Sequence, residues 1–156
     1  MTYEEQLKQV RDNVIKNIYP TIQQQGSSNT MITLHWTAGH YDQLFDDYHM
    51  CIDGNGTVHI MNDLDAYGAH CYHENNRASH CYRENTNNFG ISACSNYGSE
   101  LNGDGFTGYS VYTPGSEPVN ALQLEAMATV IYLCCVSWGL PLSQVFTHGE
   151  RCLARQ

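Results

Sequence analysis

At 156 residues, 42% hydrophobic and 15% charged, the chain has the length and composition of one globular domain with one core. No stretch approaches the roughly 20 apolar residues that a membrane span needs, so none is expected. A net charge of −9, from seven Lys and Arg against 16 Asp and Glu, argues against nucleic acid and against simple electrostatic attachment to anionic membranes.

The chain opens on Met1-Thr2-Tyr3-Glu4-Glu5, without the basic and then apolar pattern of a secretory leader. Residues 3–18 carry Leu7, Val10, Val14 and Ile18 at spacings of three and four, which predicts an amphipathic helix stopped by Pro20. Gln23 to Asn29 reads as a polar linker, dividing an N-terminal segment, 1–29, from a core, 30–156, within one domain. Met31-Ile32-Thr33-Leu34 is a short buried-strand signal ending in His35, with Trp36-Thr37-Ala38-Gly39 leaving it as a loop. Tyr48–Ile52 and Thr57–Met61 read as two strands joined by Asp53-Gly54-Asn55-Gly56, a tight hairpin whose glycines supply positive φ. His70-Cys71-Tyr72-His73-Glu74-Asn75 returns ten residues later as His80-Cys81-Tyr82-Arg83-Glu84-Asn85, which reads as a duplicated loop, since two copies are too few for a solenoid. Phe89–Cys94 is a further strand, and 99–116, rich in Gly, Asn, Asp and Tyr, is expected to be a long surface loop. Asn120-Ala121-Leu122-Gln123 resembles a capping box. After it, Leu124, Met127, Ala128, Ile131, Cys134, Cys135 and Trp138 mark the expected buried face of a helix ended by Gly139 and Pro141. Gln144–Thr147 is the last strand, ending in His148. This order predicts an α/β single domain with a mixed central β-sheet flanked by helices.

The seven cysteines, Cys51, Cys71, Cys81, Cys94, Cys134, Cys135 and Cys152, are odd in number and form no Cys-x-x-Cys pair. A reducing compartment is the simpler reading, with a Cys71–Cys81 bridge left open. The chemistry centres on two histidines in matching positions, His35 and His148, each closing a short strand. If those strands are parallel neighbours, both imidazoles emerge at one edge of the sheet. Imidazole nitrogens hold zinc at about 2.0–2.1 Å and can leave one position open for water. Spacing alone supplies no clear third ligand, although Cys152, four residues after His148, could share a helical face with it. Glu150 is a candidate base, two residues from a ligand. A thiol enzyme is a weaker reading, because no cysteine opens a helix.

These motifs resemble the type-2 N-acetylmuramoyl-L-alanine amidases, a family that includes phage amidase endolysins and the peptidoglycan recognition proteins. Ile32-Thr33-Leu34-His35-Trp36-Thr37-Ala38-Gly39 is similar to its first zinc-ligand motif and Tyr48–Val58 to its hairpin. Gly68-Ala69-His70 resembles the histidine after that hairpin, and Asn88-Phe89-Gly90-Ile91-Ser92 a core strand. Gly139-Leu140-Pro141-Leu142 and Thr147-His148 resemble the late helix end and second ligand motif. The resemblance implies Zn2+ as cofactor with His35 and His148 as ligands, Tyr48 as a catalytic helper, and His70 or His80, with Asn88, in the substrate groove. The implied substrate is peptidoglycan, cleaved between N-acetylmuramic acid and L-alanine; the alternative is a non-catalytic peptidoglycan-binding module. A monomer is expected, made in the cytoplasm and acting at the cell wall in phage lysis or recycling. In the family the third ligand, Cys or Asp, comes at least eight residues after the second histidine, a count that here reaches Gln156. The expected third ligand is therefore Cys152 or a residue beyond the printed chain.

Overall fold

The computed structural model describes residues 1–66, 87–102, 111–113 and 115–147. Helix α1 spans Tyr3–Asn17 and is closed at its start by a capping box: Thr2 accepts from Glu5 N at 3.1 Å, and Glu5 accepts from Thr2 N at 3.2 Å. The helix stops before Pro20 as expected, but the residues before the expected Gln23–Asn29 linker are helical too. A second helix, α2 (Tyr19–Gln24), follows at once with Pro20 in its first turn, where the missing N–H is not needed. Beyond it, Gly26 at φ +91° lies flat against the Trp138 indole, where a Cβ would collide with the ring. The indole Nε1 donates to the carbonyls of Ile22 (3.1 Å) and Gln25 (2.9 Å). Asn29 is buried and donates to Gly26 O and Leu64 O, so this expected linker is locked into the domain.

Five strands form the main sheet: β1 (Met31–Trp36), β2 (Met50–Ile52), β3 (Val58–Ile60), β4 (Asn88–Ala93) and β7 (Val145–Thr147), in the order β3-β2-β4-β1-β7. All neighbours are parallel except the β2–β3 hairpin. Its turn is held by Asp53, whose carboxylate accepts from Asn55 N and Thr57 N and contacts His59 Nε2 at 2.8 Å. The mixed sheet and its helices are the α/β architecture expected. The stretch expected as one loop contains two short strands, β5 (Glu100–Asn102) and β6 (Val111–Thr113), paired antiparallel. Three-residue strands are too short for alternation to announce them.

Side-chain alternation gives the sheet two unlike faces. Ile32, Met50, Ile52, Phe89, Ile91 and Ala93 point one way, into a single apolar cluster with Val10, Val14, Ile18 and Ile22. The third helix, α3 (Ala121–Trp138), adds Ala126, Met127, Val130, Leu133 and Cys134. Its Asn120–Gln123 capping box is as expected, and Gly139 ends it at φ +67°. The buried face is rotated from the one expected: Met127 and Cys134 are buried and Ile131, Cys135 and Trp138 pack against the core, but Leu124 and Ala128 are exposed, and Gln123, Ala126, Val130 and Leu133 join the inner positions. The physical reason is Gln123, whose amide donates to Ile52 O (3.1 Å) and Cys94 O (2.8 Å) and so sets the rotation of an almost uniformly apolar helix. Among the described residues α3 is also long and apolar enough, by length and composition, to cross a membrane; in this fold its inner side contacts α1, β2 and β4.

Candidate functional site

His35 belongs to β1 and does not merely follow it. The strand continues to Trp36, and His35 pairs with Ser92 of β4. Its ring therefore projects from a face of the sheet near the C-terminal edge, where it is only 9% exposed. On the other side of β1, β7 runs parallel, with Leu34 opposite Thr147. The condition set by the sequence is met as far as the pairing goes: the residues immediately before the two histidines are cross-strand partners. His148 itself, with Glu150, Cys152, His70 and His80, lies outside the described residues, as does the duplicated 70–85 segment.

Tyr48 lies beside His35, with ring centroids 5.1 Å apart and planes tilted by 47°. Contrary to expectation it does not open β2, which starts at Met50. Its segment is pinned from the hairpin by Asn62, whose amide donates to Asp46 O (2.8 Å) and Tyr48 O (2.7 Å). The next residue, His49, is wholly buried. Its Nδ1 accepts from Gly90 N (2.9 Å), its Nε2 contacts Ala66 O (3.3 Å), and its ring stacks on Phe89. Burial pushes its pKa down to about 4, partly offset by the Ala66 carbonyl and the charges of Asp63 and Asp65. This neutral imidazole ties the start of β2 to β4 and so supports the Tyr48 segment from behind. Nothing in the local sequence distinguished it from the chain's other histidines.

One row crosses the sheet beneath the site, from His35 on β1 through Ser92 on β4 to Cys51 on β2. The Ser92 hydroxyl is fully buried and has no hydrogen-bond partner among the described residues. Cys51 donates to Phe45 O (3.2 Å). Its hydrogen bond with Cys94, followed by burial, pushes the Cys94 thiol well up, so Cys94 is not a ready thiolate. Cys51, Cys94, Cys134 and Cys135 are free thiols. Asn88 is correctly placed in a core strand, but it is buried and its carboxamide accepts from Thr33 Oγ1 (2.8 Å). In this position it braces β1 against β4.

Among the described residues no three His, Cys, Asp or Glu side chains are grouped to hold a metal ion. What they do contribute is one inward-facing imidazole beside an orphaned hydroxyl and a phenol, on the polar face of the sheet. A shallow cleft of about 160 Å³, lined by Tyr41, Asp42, Asp53, Gly54 and Asn55, lies at the hairpin and includes none of the expected site residues.

Comparison with known proteins brings one finding. The family model described as N-acetylmuramoyl-L-alanine amidase matches residues 25–155. No curated protein and no solved structure matches the chain. The match runs from the end of α2 through every strand and α3, so it spans the whole sheet that carries His35. The chain belongs to the N-acetylmuramoyl-L-alanine amidase family.

Proposed function

We propose that this chain is a zinc-dependent N-acetylmuramoyl-L-alanine amidase, hydrolysing the amide between the lactyl group of N-acetylmuramic acid and the L-alanine of the stem peptide. The observation that carries the reading is the parallel β1–β7 register, with Leu34 opposite Thr147. One further step of that register would bring His148 level with His35 on the polar face. Neutral imidazoles suit zinc, and these two would hold it, with Cys152 the candidate third donor. Bound zinc would supply hydroxide near neutral pH and polarise the scissile carbonyl.

The remaining work falls to the chain's own side chains. His35, almost wholly shielded from solvent, has little freedom to leave its place, which favours a preformed site. Tyr48, next to it, would donate its phenolic proton to the oxygen that gains charge as the amide carbon becomes tetrahedral. Such a pre-aimed donor contributes on the order of 100-fold in kcat. Asn62 holds Tyr48 there through the backbone. Glu150 would take a proton from the attacking water and return it to the leaving amine.

The test is metal analysis together with muropeptide release. Wild type should carry about one zinc per chain and release the stem peptide. His35→Ala should lose both zinc and hydrolysis, and Tyr48→Phe should keep zinc while losing kcat. Full hydrolysis by His35→Ala would reject the mechanism.

A further inference from the structure

Beyond the C-terminal end of β1 the chain builds an exposed aromatic surface. The rings of His40 and Tyr97 stack face to face, with centroids 3.7 Å apart and planes 18° from parallel. Both are about half exposed, at 46% and 47%. The stack is held by three separate segments. His40 Nδ1 contacts Glu117 Oε2 at 2.6 Å, and the other oxygen of that carboxylate accepts from Tyr41 N at 3.0 Å. Asn96 N donates to Glu117 O (2.7 Å), Ser116 N donates to Tyr97 O (2.8 Å), and Gly39 bridges to Asn96 in parallel. Ala38, Asn96 and Glu117 all take positive φ, at 61°, 62° and 56°. Left-handed backbone at three non-glycine residues costs free energy, and here it serves to bring the segments together under the rings.

Such a surface is rigid before any ligand arrives, which lowers the ordering cost of binding. It has a flat apolar face, and its one carboxylate already has partners on both oxygens. That chemistry fits the C–H face of a pyranose ring. It suits a stem peptide less well, because peptide carboxylates would meet Glu117 on a chain of net charge −9. His40 follows His35 by five residues, so at about 3.3 Å per residue the two are within about 17 Å of each other.

We propose that the His40–Tyr97 stack is a saccharide platform that seats a sugar of the glycan strand next to the muramic acid being cleaved. This assignment rests on the amidase reading for its substrate, but the platform can be tested apart from it. The first measurement is NMR titration with the β-1,4-linked N-acetylglucosamine tetramer, which needs neither zinc nor turnover. Wild type should bind, with the Tyr97 and His40 ring resonances shifting. Tyr97→Ala and His40→Ala should each weaken binding about tenfold, the scale of an aromatic stacking contact, and Tyr97→Phe should retain it. The second is steady-state kinetics. Tyr97→Ala should raise KM about tenfold on tetrasaccharide-peptide strands, leaving kcat unchanged and muramoyl dipeptide hydrolysis unaffected. Tetramer binding lost in Tyr97→Ala by a protein that cleaves no muramoyl amide would uphold the platform and reject the amidase reading. Amide cleavage with the same glycan KM in wild type and Tyr97→Ala would do the reverse. Tetramer binding equal in wild type and both alanine variants would overturn the platform outright.

Discussion

The two faces of the central sheet are built from the same strands and do opposite work. On one, Ile32, Phe89, Ile91, Met50 and Ile52 meet the inner sides of α1, α2 and α3 and leave no polar side chain of the sheet among them. On the other, Thr33, His35, Asn88, Ser92 and Cys51 are equally buried, yet every one carries a polar atom or a thiol. Burial alone therefore does not distinguish core from site. What separates them is whether the buried group gains its free energy from removing apolar area or needs a specific partner. The helix-covered face stabilises the fold. The polar face instead buries groups that need partners, as where Thr33 donates to Asn88 and Cys51 to Phe45 O.

The largest effect expected from breaking this contrast lies on the apolar face. Phe89 is fully buried and meets Trp138 edge-on with centroids 5.3 Å apart. Phe89→Ala should cost about 3–5 kcal/mol, through lost transfer energy and the cavity left behind. A fall in the urea midpoint with an unchanged m-value would show this; a cost below about 1 kcal/mol would contradict the packing.

Acid should act next, through a buried histidine at the start of β2. His49 is neutral in the fold with its pKa lowered to about 4, whereas in the unfolded chain it protonates at its ordinary value of 6.5. Its contribution is thus fully present above pH 6.5, declines as pH falls below that, and is lost by about pH 4. The interval corresponds to about 3 kcal/mol. Urea unfolding across this range should show the decline, and His49→Gln should flatten it. A wild-type stability that is level from pH 6.5 to 4 would refute the assignment.

The smallest effect is expected at Ser92. Its hydroxyl has no partner among the described residues, so Ser92→Ala should shift stability by less than about 1 kcal/mol in either direction. A loss of about 2 kcal/mol or more would show that the hydroxyl is bonded in the folded protein. A small change in stability accompanied by a drop in kcat would mark Ser92 as a group that serves the site and not the fold.

Much of the element plan was legible because its signals are local. The capping box at Asn120, the glycine-rich β2–β3 turn and the short apolar runs at 31–34 and 89–94 each act within a few residues of themselves. Pro20 marked the end of α1 correctly, but the helix it also opens was missed, because proline can stop one helix and start the next, and only the packing of Ile22 and Trp138 shows that it does both here. The site was legible in part. His35 stood out at a strand end, and Tyr48 through family resemblance. The roles of His49 and Asn62, and the bonds of Gln123 to the sheet, were not legible, because each depends on a backbone atom between 14 and 71 positions away.

Sequence alone determined that these segments form strands and helices and that His35 rides on a short buried strand, since propensity, capping and turn chemistry are short-range. Tertiary structure alone decided which strands lie side by side and the final rotation of α3. An apolar helix with one charged residue, Glu125, carries no rotational preference of its own. Gln123 supplies it by satisfying the carbonyls of Ile52 and Cys94, which no local pattern could have brought within reach.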